Sequence, residues 1–358
     1  MIAEKMGYEG EELKQGIQKQ TYKRRHCKRD REELTLTDMA DLYLAPMEEI
    51  TGYVFRNAVS RHFGHIDRFY TPFISPDNRI MKTRAGRELL PENNRGLNVI
   101  PQLLTNNAGL FNEAAHLIAN MGYGQININF GCPSNTVAAK FKGSGILRDP
   151  ILMDRFFDGV FDGKDSILKS FPSFRISVKS RVGYNDTSDL PKVIEVLNRY
   201  PVCELIVHPR IKKDLYLGTV RMEAFDYVVA NSKAPVSYNG DICSVEDYER
   251  IESKYKERIR GIMIGRAAVA DPGIFRRIRT GEKMTKQELY GFLNDIYETY
   301  KKDYSPENAL SKMKEVWTYT AGLITDEKVR AGIIKSIIKS KNGAQYKDAV
   351  TVAFSHMI

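Results

Sequence analysis

Short apolar runs alternate along the chain with longer segments in which apolar residues recur at helical spacing. Eight of the short runs are bounded by turn residues and have the length and composition of buried β-strands. They are Leu42–Pro46, Arg68–Ile74, Asn98–Leu103, Gln125–Phe130, Arg175–Lys179, Glu204–His208, Val236–Asn239 and Gly261–Ile264. The pattern therefore predicts eight strands separated by connecting segments.

Most of the connecting segments have the periodicity and the end signals of amphipathic helices. Phe111–Gly122 places its apolar residues on one face and ends at a glycine, which favours a helix C-cap. Asp149, Ser244 and Asp271 each precede such a segment and are predicted N-caps. The second connection, between residues 75 and 96, reads as a loop with one short helical turn.

Strand–helix alternation is typical of a parallel sheet, and eight units suit a closed (β/α)8 barrel. An open doubly wound sheet is the structural alternative, but no G-x-G-x-x-G motif follows an early strand. The prediction is an α/β fold, a TIM barrel followed by a C-terminal all-helical domain. We divide the chain into a charged N-terminal extension (1–38), a catalytic barrel (39–282) and a helical domain (283–358).

The last segment has helical rather than strand periodicity. Ser305 followed by Pro306 predicts the start of one helix. Its apolar face consists of Leu310, Met313, Val316 and Trp317. A later amphipathic helix places Lys328, Lys335 and Lys339 on one face. We interpret the segment as a domain with exposed lysines; a docked helical cap with ordinary surface lysines is the alternative.

Composition and charge narrow the class of protein only modestly. Of 358 residues, 42% are hydrophobic and 28% charged, as in a soluble globular protein. No run approaches the roughly 18 apolar residues of a membrane span, and the N-terminus lacks the apolar core of a signal peptide. We expect a cytoplasmic monomer. The net charge of +9 fits a polyanionic partner such as nucleic acid, or simply a lysine-rich surface.

The four cysteines are scattered, without C-x-x-C spacing, which argues against a disulfide framework and a structural zinc site. We therefore expect no metal. Cys27 lies in the basic run of residues 1–38, which reads as a solvated face or extension, with a nucleic-acid-binding arm as the alternative. Cys203 and Cys243 read as packing or turn residues. Cys132, between Gly131 and Pro133, stands where the chain must turn.

Seven of the predicted strands carry polar side chains and turn residues at their carboxyl ends, where barrel enzymes build active sites. They are Pro46, Met47, Glu48, Gln102, Asn129, Cys132, Lys179, Arg181, His208, Arg210, Asn239, Gly240, Asp241, Gly265 and Arg266. Glycines allow backbone N–H groups to approach an anion and Arg266 adds charge, so the last two strand ends predict a phosphate site. Gln102 can pair with a pyrimidine-like edge and Lys179 can hold the charge of a reduced ring, which suits FMN.

The ordered set of motifs resembles that of the tRNA-dihydrouridine synthase family. The matching stretches are LYLAPMEEITGYVFRNAV, INFGCPSNTVAAKFKGSGIL, SVKSRVG, IVHPR, YNGDI and MIGRA. The resemblance runs from Leu42 to about Phe275, and the helices after residue 282 occupy the place of that family's RNA-binding domain. Two positions depart from the family pattern: Glu49 replaces a usual glycine, and HPRIKKDLY replaces the more common His-Gly-Arg-Thr.

The resemblance implies reduction of a uridine in tRNA to 5,6-dihydrouridine. NADPH would reduce FMN, FMN would pass hydride from N5 to C6 of uracil, and a thiol would supply the proton at C5. Cys132 is the candidate general acid, because a thiol with a pKa of ~8.5 is mostly protonated near neutrality. The target base must also leave its stack, which is easiest for a loop nucleotide.

The other candidate residues are divided between cofactor and base. Gln102 and Lys179 are assigned to the flavin ring, and His208 to the ring or phosphate. Asn129 and Arg181 are placed nearer the uracil. The remaining cofactor assignments are Pro46, Met47, Glu48, Asn239, Gly240, Asp241, Gly265 and Arg266.

Two other functions are compatible with parts of the pattern. An FMN barrel enzyme acting on a free pyrimidine, such as a dihydroorotate or dihydropyrimidine dehydrogenase, shares the cysteine loop and the phosphate site. Such an enzyme does not call for a lysine-bearing helical tail. An RNA-binding module without catalysis is the second alternative, and the joint presence of Cys132, Lys179, Gln102 and Arg266 argues against it.

Overall fold

A computed structural model describes residues 39–76, 80 and 84–357. The predicted N-terminal extension, with Cys27, lies outside these residues. Within the described residues, nine strands form one parallel sheet in the spatial order β3-β2-β1-β9-β8-β7-β6-β5-β4. They are β1 (Asp41–Leu44), β2 (Arg68–Tyr70), β3 (Val99–Ile100), β4 (Gln102–Leu103), β5 (Gln125–Phe130), β6 (Arg175–Gly183), β7 (Leu205–Ile211), β8 (Val236–Asn239) and β9 (Gly261–Ile264).

The sheet closes on itself through the two edge strands of that order. β3 and β4 are consecutive pieces of one barrel strand, separated by Pro101, which has no N–H to donate. The first piece pairs with β2 and the second with β5. The predicted TIM barrel is confirmed, and all eight predicted strands are present.

Some predicted strand boundaries need correction. The second strand ends at Tyr70 rather than Ile74, which forms an isolated bridge with Leu103. β6 and β7 continue beyond Lys179 and His208, so these residues and their i+2 neighbours lie within the ladder. Because alternate side chains of a strand share a face, Lys179 and Arg181 project from the same side of β6.

Helices cover the outside of the barrel. The barrel region contains α1 (Tyr53–His62), α2 (Ala108–Asn120), α3 (Asn135–Ala138), α4 (Pro150–Phe161), α5 (Ile167–Ser170), α6 (Leu190–Leu197), α7 (Met222–Asn231), α8 (Val245–Tyr255), α9 (Arg266–Ala270) and α10 (Ile274–Thr280). Asp149 and Ser244 cap α4 and α8 as predicted. Asp271 does not cap α10: Gly273 is its N-cap, and Asp271 accepts the Gly273 N–H instead.

Four α-helices make up most of the C-terminal region, residues 286–357. It contains α11 (Lys286–Asp303), α12 (Pro306–Thr320), α13 (Glu327–Lys339) and α14 (Gly343–His356). Ser305 caps α12 as predicted, and the predicted apolar face of α12 is buried. Lys328, Lys335 and Lys339 are all exposed on α13. The rings of Phe55 and Phe63 lie 5.5 Å from that of Phe292, so this region packs on the barrel through α1 and α11.

The barrel interior is unusually polar, because the inward positions of β5 and β6 carry asparagine, serine and lysine. At the amino end, Arg68 pairs with the fully buried Glu204 at 2.7 Å, and the Ser237 hydroxyl donates to the same carboxylate. This buried pair closes one end of the barrel. The other end, where the strands terminate, carries the candidate site.

Candidate active site

Cys132 lies on the loop that follows β5, and a single side chain fixes the start of that loop. The amide oxygen of Asn129 accepts hydrogen bonds from the backbone N–H groups of Gly131 at 3.0 Å and Cys132 at 2.8 Å. An asparagine that bonds to the backbone two and three residues onward stabilises a turn. The predicted uracil residue Asn129 therefore also sets the direction in which Cys132 leaves the strand.

A glycine-rich segment supports the cysteine loop from behind. The Cys132 carbonyl accepts hydrogen bonds from the Ser144 N–H at 3.1 Å and hydroxyl at 2.8 Å. A Cβ at Gly143 would lie 2.9 Å from that carbonyl, and Gly143 also has a left-handed φ of 54°. A Cβ at Gly145 would lie 2.3 Å from the Ala138 carbonyl. Close packing of backbone on backbone therefore requires these glycines.

The environment of Cys132 favours the protonated thiol. Burial raises the pKa of the Cys132 thiol, and the Glu48 carboxylate adds to that increase. The Ser134 backbone N–H, Arg181 and Lys179 act in the opposite direction without reversing it. The side chain is only partly buried, so a ligand at the barrel mouth can reach it. A half-buried, protonated thiol is suited to donating a proton.

A ladder of side-chain hydrogen bonds runs down the barrel interior from Asn129. The Asn129 amide donates to Gln102 at 2.7 Å, Gln102 donates to Asn127 at 2.8 Å, and Asn127 donates to the Ser177 hydroxyl at 2.9 Å. Gln102 is fully buried, with one N–H and one oxygen engaged. Each amide nitrogen and oxygen can make a further hydrogen bond. The ladder thus fixes the orientation of the Gln102 amide.

Lys179 is the cation of this site that lacks a partner. Among the described residues, its ammonium makes no hydrogen bond or ion pair, although its side chain is partly buried. Burial, with a smaller contribution from Arg181, lowers the pKa of Lys179 to about 7. An unpaired and poorly solvated ammonium is unfavourable unless an anionic group comes to it. Lys179 is therefore suited to an anionic ligand.

His208 is held as a neutral imidazole. Burial lowers its pKa well below the usual range, and the charges of Lys179, Arg181, Arg210 and Arg266 act in the same direction. Its Nε2 lies 3.1 Å from an Arg210 guanidinium nitrogen, which can only donate. Nε2 is therefore the acceptor, and Nδ1 carries the proton as a donor.

The predicted phosphate residues form an arginine–aspartate cluster. Asp241, at a left-handed φ of 44°, accepts hydrogen bonds from Arg210 and from Arg266, the latter at 2.9 Å. A Cβ at Gly240 would lie 3.0 Å from Val220, and one at Gly265 would lie 3.3 Å from Ala45. The Asn239 amide donates to the Met263 carbonyl at 2.9 Å. The cluster contains more positive than negative charge, and Asp241 holds both guanidinium groups.

The first barrel loop brings Pro46, Met47 and Glu48 to the same end of the barrel. A Cβ at Gly265 would lie 3.7 Å from the Met47 sulfur, which places Met47 beside the end of β9. Burial, followed by the charge of Glu49, raises the pKa of Glu48. Pro46 and Met47 are partly buried and Glu48 is exposed. These residues adjoin the site but donate to no candidate residue in the described chain.

Arg181 is committed to backbone carbonyls. Its guanidinium donates to the carbonyls of Gly131 at 2.9 Å, Ile211 at 2.9 Å and Leu215 at 2.6 Å, and its side chain is almost fully buried. It thereby joins the cysteine loop to the segment after β7. Direct contact between Arg181 and a base stays a prediction.

Sequence reasoning did not single out the loop of residues 215–218. Its four successive carbonyls accept hydrogen bonds from arginines: Leu215 from Arg181, Tyr216 from Arg266, and Leu217 and Gly218 from Arg210. With its carbonyls turned inward, the loop exposes its side chains; Tyr216 is 54% exposed. The Tyr216 ring lies 5.4 Å from the Arg181 guanidinium and 5.6 Å from that of Arg266.

Tyr216 is the residue of this loop that lies close to Cys132, the candidate general acid. Cys132 is close enough to raise the pKa of its hydroxyl, although burial is the larger cause. An exposed aromatic ring beside a thiol and two guanidinium groups offers a stacking surface. The available sequence signal was the apolar triplet Leu-Tyr-Leu within an otherwise charged segment.

Features elsewhere in the described residues do not form a competing centre. Cys203 is partly buried, and desolvation raises its pKa to about 12, whereas Cys243 is exposed. In residues 39–76, 80 and 84–357, no three His, Cys, Asp or Glu side chains cluster in a way that could hold a metal. No helix in that part of the chain is both long and apolar enough to traverse a bilayer. An open groove of about 650 Å³ lies between α13 and α14 rather than at the strand ends.

A closed parallel barrel whose carboxyl end gathers a protonated thiol, an unpaired lysine and an arginine cluster is a TIM-barrel enzyme. The family model described as dihydrouridine synthase (Dus) matches residues 43–353, and the chain belongs to that family. The chain is accordingly an oxidoreductase.

Named relatives agree with the family over most of the chain. A tRNA-dihydrouridine(16) synthase of Pseudomonas syringae pv. tomato is 29% identical over 267 residues, covering 71% of this chain and 81% of that protein. A probable tRNA-dihydrouridine synthase of Rickettsia bellii is 26% identical over 305 residues, covering 82% and 90%. The solved structure of morphinone reductase covers 70% of this chain and 88% of its own, at 11% identity and a TM-score of 0.49.

Proposed function

We propose that this protein reduces a uridine of tRNA to 5,6-dihydrouridine, with Cys132 as the general acid. The observation that carries the proposal is the presence of two groups at the carboxyl end of a dihydrouridine synthase barrel. One is a half-buried, protonated thiol, and the other is a lysine without a protein partner among the described residues. The Pseudomonas relative is named for the same reaction on tRNA. The boundaries 39–282 for the catalytic barrel and 283–358 for a tRNA-binding domain are part of this proposal.

FMN fits the residues at the barrel mouth. The unpaired Lys179 ammonium and the Nδ1–H of His208 are donors that lack a protein partner among the described residues. The Gln102 amide is oriented by Asn129 and Asn127 and retains hydrogen-bonding capacity. Neighbouring side chains pack closely on Gly240 and Gly265, with Val220 3.0 Å from a Cβ placed on Gly240 and Ala45 3.3 Å from one on Gly265. Arg266 would contact the phosphate, and Asp241 would hold Arg266 rather than touch the anion.

When bound, FMN would supply the hydride that NADPH provides and that uracil receives at C6. Lys179 would stabilise negative charge next to the bound ring, and the charge would raise its lowered pKa and keep the ammonium protonated. Gln102 would orient the ring, and His208 would donate through Nδ1. Pro46, Met47 and Glu48 would line the mouth next to the end of β9.

The proton at C5 would come from the Cys132 thiol. Asn129 holds the backbone on which the thiol is carried, and Arg181 joins that loop to the loop of residues 215–218. Tyr216 would stack against the extruded base. After transfer the sulfur is a thiolate, which Lys179 and Arg181 stabilise until it is reprotonated.

The C-terminal region would contact the tRNA backbone. Lys328, Lys335 and Lys339 are exposed on α13, and the groove between α13 and α14 is lined by Lys328, Lys339 and His356 with Asp348 as its acidic residue. Basic groups along one face are the usual means of binding phosphates. A monomer suffices for this arrangement, since every proposed group comes from one chain.

The decisive experiment incubates the purified protein with unmodified tRNA, FMN and NADPH and measures dihydrouridine by mass spectrometry. Wild-type protein should bind FMN and produce dihydrouridine. Cys132→Ala should retain FMN but lose tRNA reduction, whereas Cys243→Ala, an exposed cysteine control, should retain both. Loss of flavin in Cys132→Ala, or unchanged turnover, would refute the acid role. Turnover of free uridine at the same rate would favour the free-pyrimidine alternative.

A further inference from the structure

The loop between β1 and α1 contains a residue whose backbone is in an unfavourable region. Glu49 has a φ of +62°. Side chains crowd the backbone in this left-handed conformation, so glycine is the usual occupant. This chain therefore has a glutamate in a backbone conformation that favours glycine. A contact from outside the loop can stabilise that conformation.

The stabilising group comes from the C-terminal region. Lys312 on α12 donates to the Glu49 carboxylate at 2.9 Å and to the Glu49 carbonyl at 3.2 Å. Its ammonium also lies 5.5 Å from the ring centres of both Tyr300 and Tyr304. The Lys312 side chain is only 10% exposed, compared with 50% for Glu49. The buried Lys312 ammonium thus binds both the side chain and the backbone carbonyl of Glu49, the residue with the left-handed backbone.

The same turn carries residues of the barrel mouth. The Met47 carbonyl accepts from the N–H groups of Ile50 at 3.2 Å and Thr51 at 3.0 Å, which makes residues 47–51 one compact turn. Met47 adjoins Gly265 at the end of β9, and the Glu48 carboxylate acts on the Cys132 thiol. A change in the Glu49 backbone would therefore move both Met47 and Glu48.

We propose that Lys312 and Glu49 are positioning residues: the ammonium holds Glu49 in its left-handed conformation and thereby fixes the turn that carries Met47, beside Gly265, and Glu48 at the barrel mouth. The docked C-terminal region then completes the barrel mouth, in addition to any contact it makes with RNA. The role of Cys132 as a proton donor rests on the proposed function. The coupling of Lys312 and Glu49 to the positions of Met47 and Glu48 does not depend on that function.

The reactivity of Cys132 reports this coupling without cofactor or tRNA. We would measure iodoacetamide alkylation of the Cys132 peptide in the full-length protein by mass spectrometry across pH. Lys312→Met and Glu49→Gln should each raise the alkylation rate at pH 8 by about threefold or more, because retreat of the Glu48 carboxylate lowers the thiol pKa. Glu49→Gly should leave the rate unchanged, since glycine adopts the conformation without the ammonium.

The double variant separates positioning from simple docking. If Lys312 acts through the Glu49 backbone, Lys312→Met combined with Glu49→Gly should return to within about 1.5-fold of the wild-type rate. If Lys312 only anchors the C-terminal region, glycine at position 49 cannot rescue its loss. Lys314→Met is the matched control, because Lys314 lies on the same helix and donates to Ser340 within the C-terminal region.

Two results would overturn the proposal. One is an unchanged alkylation rate in both Lys312→Met and Glu49→Gln. The other is an increased rate in Lys312→Met that Glu49→Gly fails to restore, including a case in which Lys312→Met unfolds or undocks. A wild-type protein that failed to reduce tRNA would refute the proposed function while leaving this comparison intact.

Discussion

Lys179 illustrates how a single residue can be unfavourable for the fold and suited to a ligand. Its partly buried ammonium has no partner among the described residues, and its pKa of about 7 reflects the resulting loss of solvation. A typical lysine titrates near 10.4. The unfolded chain therefore binds more protons than the folded chain between these values, and folding without ligand is penalised at neutral pH.

We predict that Lys179→Met stabilises the cofactor-free protein and weakens FMN binding. The free energy of unfolding at pH 7 should rise by roughly 1–3 kcal/mol, since a poorly solvated charge is removed. The difference from wild type should be full below about pH 7 and should shrink as pH rises toward 10.5, because the wild-type penalty disappears when the unfolded lysine also loses its proton.

The measurements are urea unfolding across pH and FMN titration by fluorescence. Lys233 is an exposed lysine remote from the carboxyl ends of the strands, so Lys233→Met should change neither the stability nor the FMN affinity. A destabilised Lys179→Met protein would mean that the ammonium has a stabilising partner in solution. Unchanged FMN affinity would remove Lys179 from the cofactor site.

Cys132 leads to a prediction about pH. A general acid must be protonated, and burial raises the pKa of this thiol above its ordinary value. The single-turnover rate of tRNA reduction by flavin-loaded protein should therefore be constant near neutrality and fall as pH rises through the raised thiol pKa. Cys132→Ser should be slower by about 10²–10⁴-fold and should lack that alkaline decline, because a hydroxyl does not ionise there. An identical decline in the serine variant would assign it to another group.

At the scale of the element, the loop of residues 215–218 is organised by arginines from separate parts of the barrel. Arg181 comes from β6, Arg210 from β7 and Arg266 from the start of α9, and together they bind all four carbonyls. The loop is thus fixed before any ligand arrives. Its exposed tyrosine is held by these backbone hydrogen bonds and by the guanidinium groups of Arg181 and Arg266, which lie 5.4 and 5.6 Å from its ring.

We predict that Tyr216→Ala lowers kcat/KM for tRNA by about 10-fold, the size expected for loss of one aromatic–base stack. FMN affinity should be unchanged, because the arginines keep their hydrogen bonds to the loop carbonyls when the ring is removed. Tyr227→Ala, an exposed tyrosine on α7, is the matched control and should behave as wild type. A weakened flavin in Tyr216→Ala, with unchanged tRNA kinetics, would place the ring on the cofactor instead.

The strands, helix caps and loops also show which structural features could be predicted from the sequence. Strands, the capping residues Ser244 and Ser305, and the cysteine loop carry local signals of period, cap and turn, and these were predicted. The contact of Lys312 with Glu49 joins positions 263 residues apart, and no local pattern indicates it. Asp271 was misassigned because its carboxylate bonds to Gly273, two residues on, as an N-cap would, while the helix starts only at Ile274.

At the scale of the whole molecule, the C-terminal region is part of the barrel's packing. Phe292 lies against Phe55 and Phe63, and Tyr53 donates to Asp303 at 2.5 Å. Deleting the region would expose the apolar surface of α1, so loss of RNA binding in a truncated protein would be ambiguous. Substitution of exposed lysines tests the RNA-binding role without that damage.

We predict that changing Lys328, Lys335 and Lys339 together to Glu weakens tRNA binding and reduces the salt dependence of log Kd by about 2, since each phosphate contact contributes roughly 0.7–0.9. The control changes Lys169, Lys233 and Lys256 to Glu. These exposed lysines precede β6, β8 and β9 at the opposite end of the barrel, and the net charge falls equally. Fluorescence anisotropy with tRNA at several salt concentrations measures both. Equal losses of tRNA affinity in the two variants would mean that only the overall charge matters. A loss of affinity confined to the α13 variant, with its flavin spectrum unchanged, would separate RNA binding from the chemistry at the carboxyl ends of the strands.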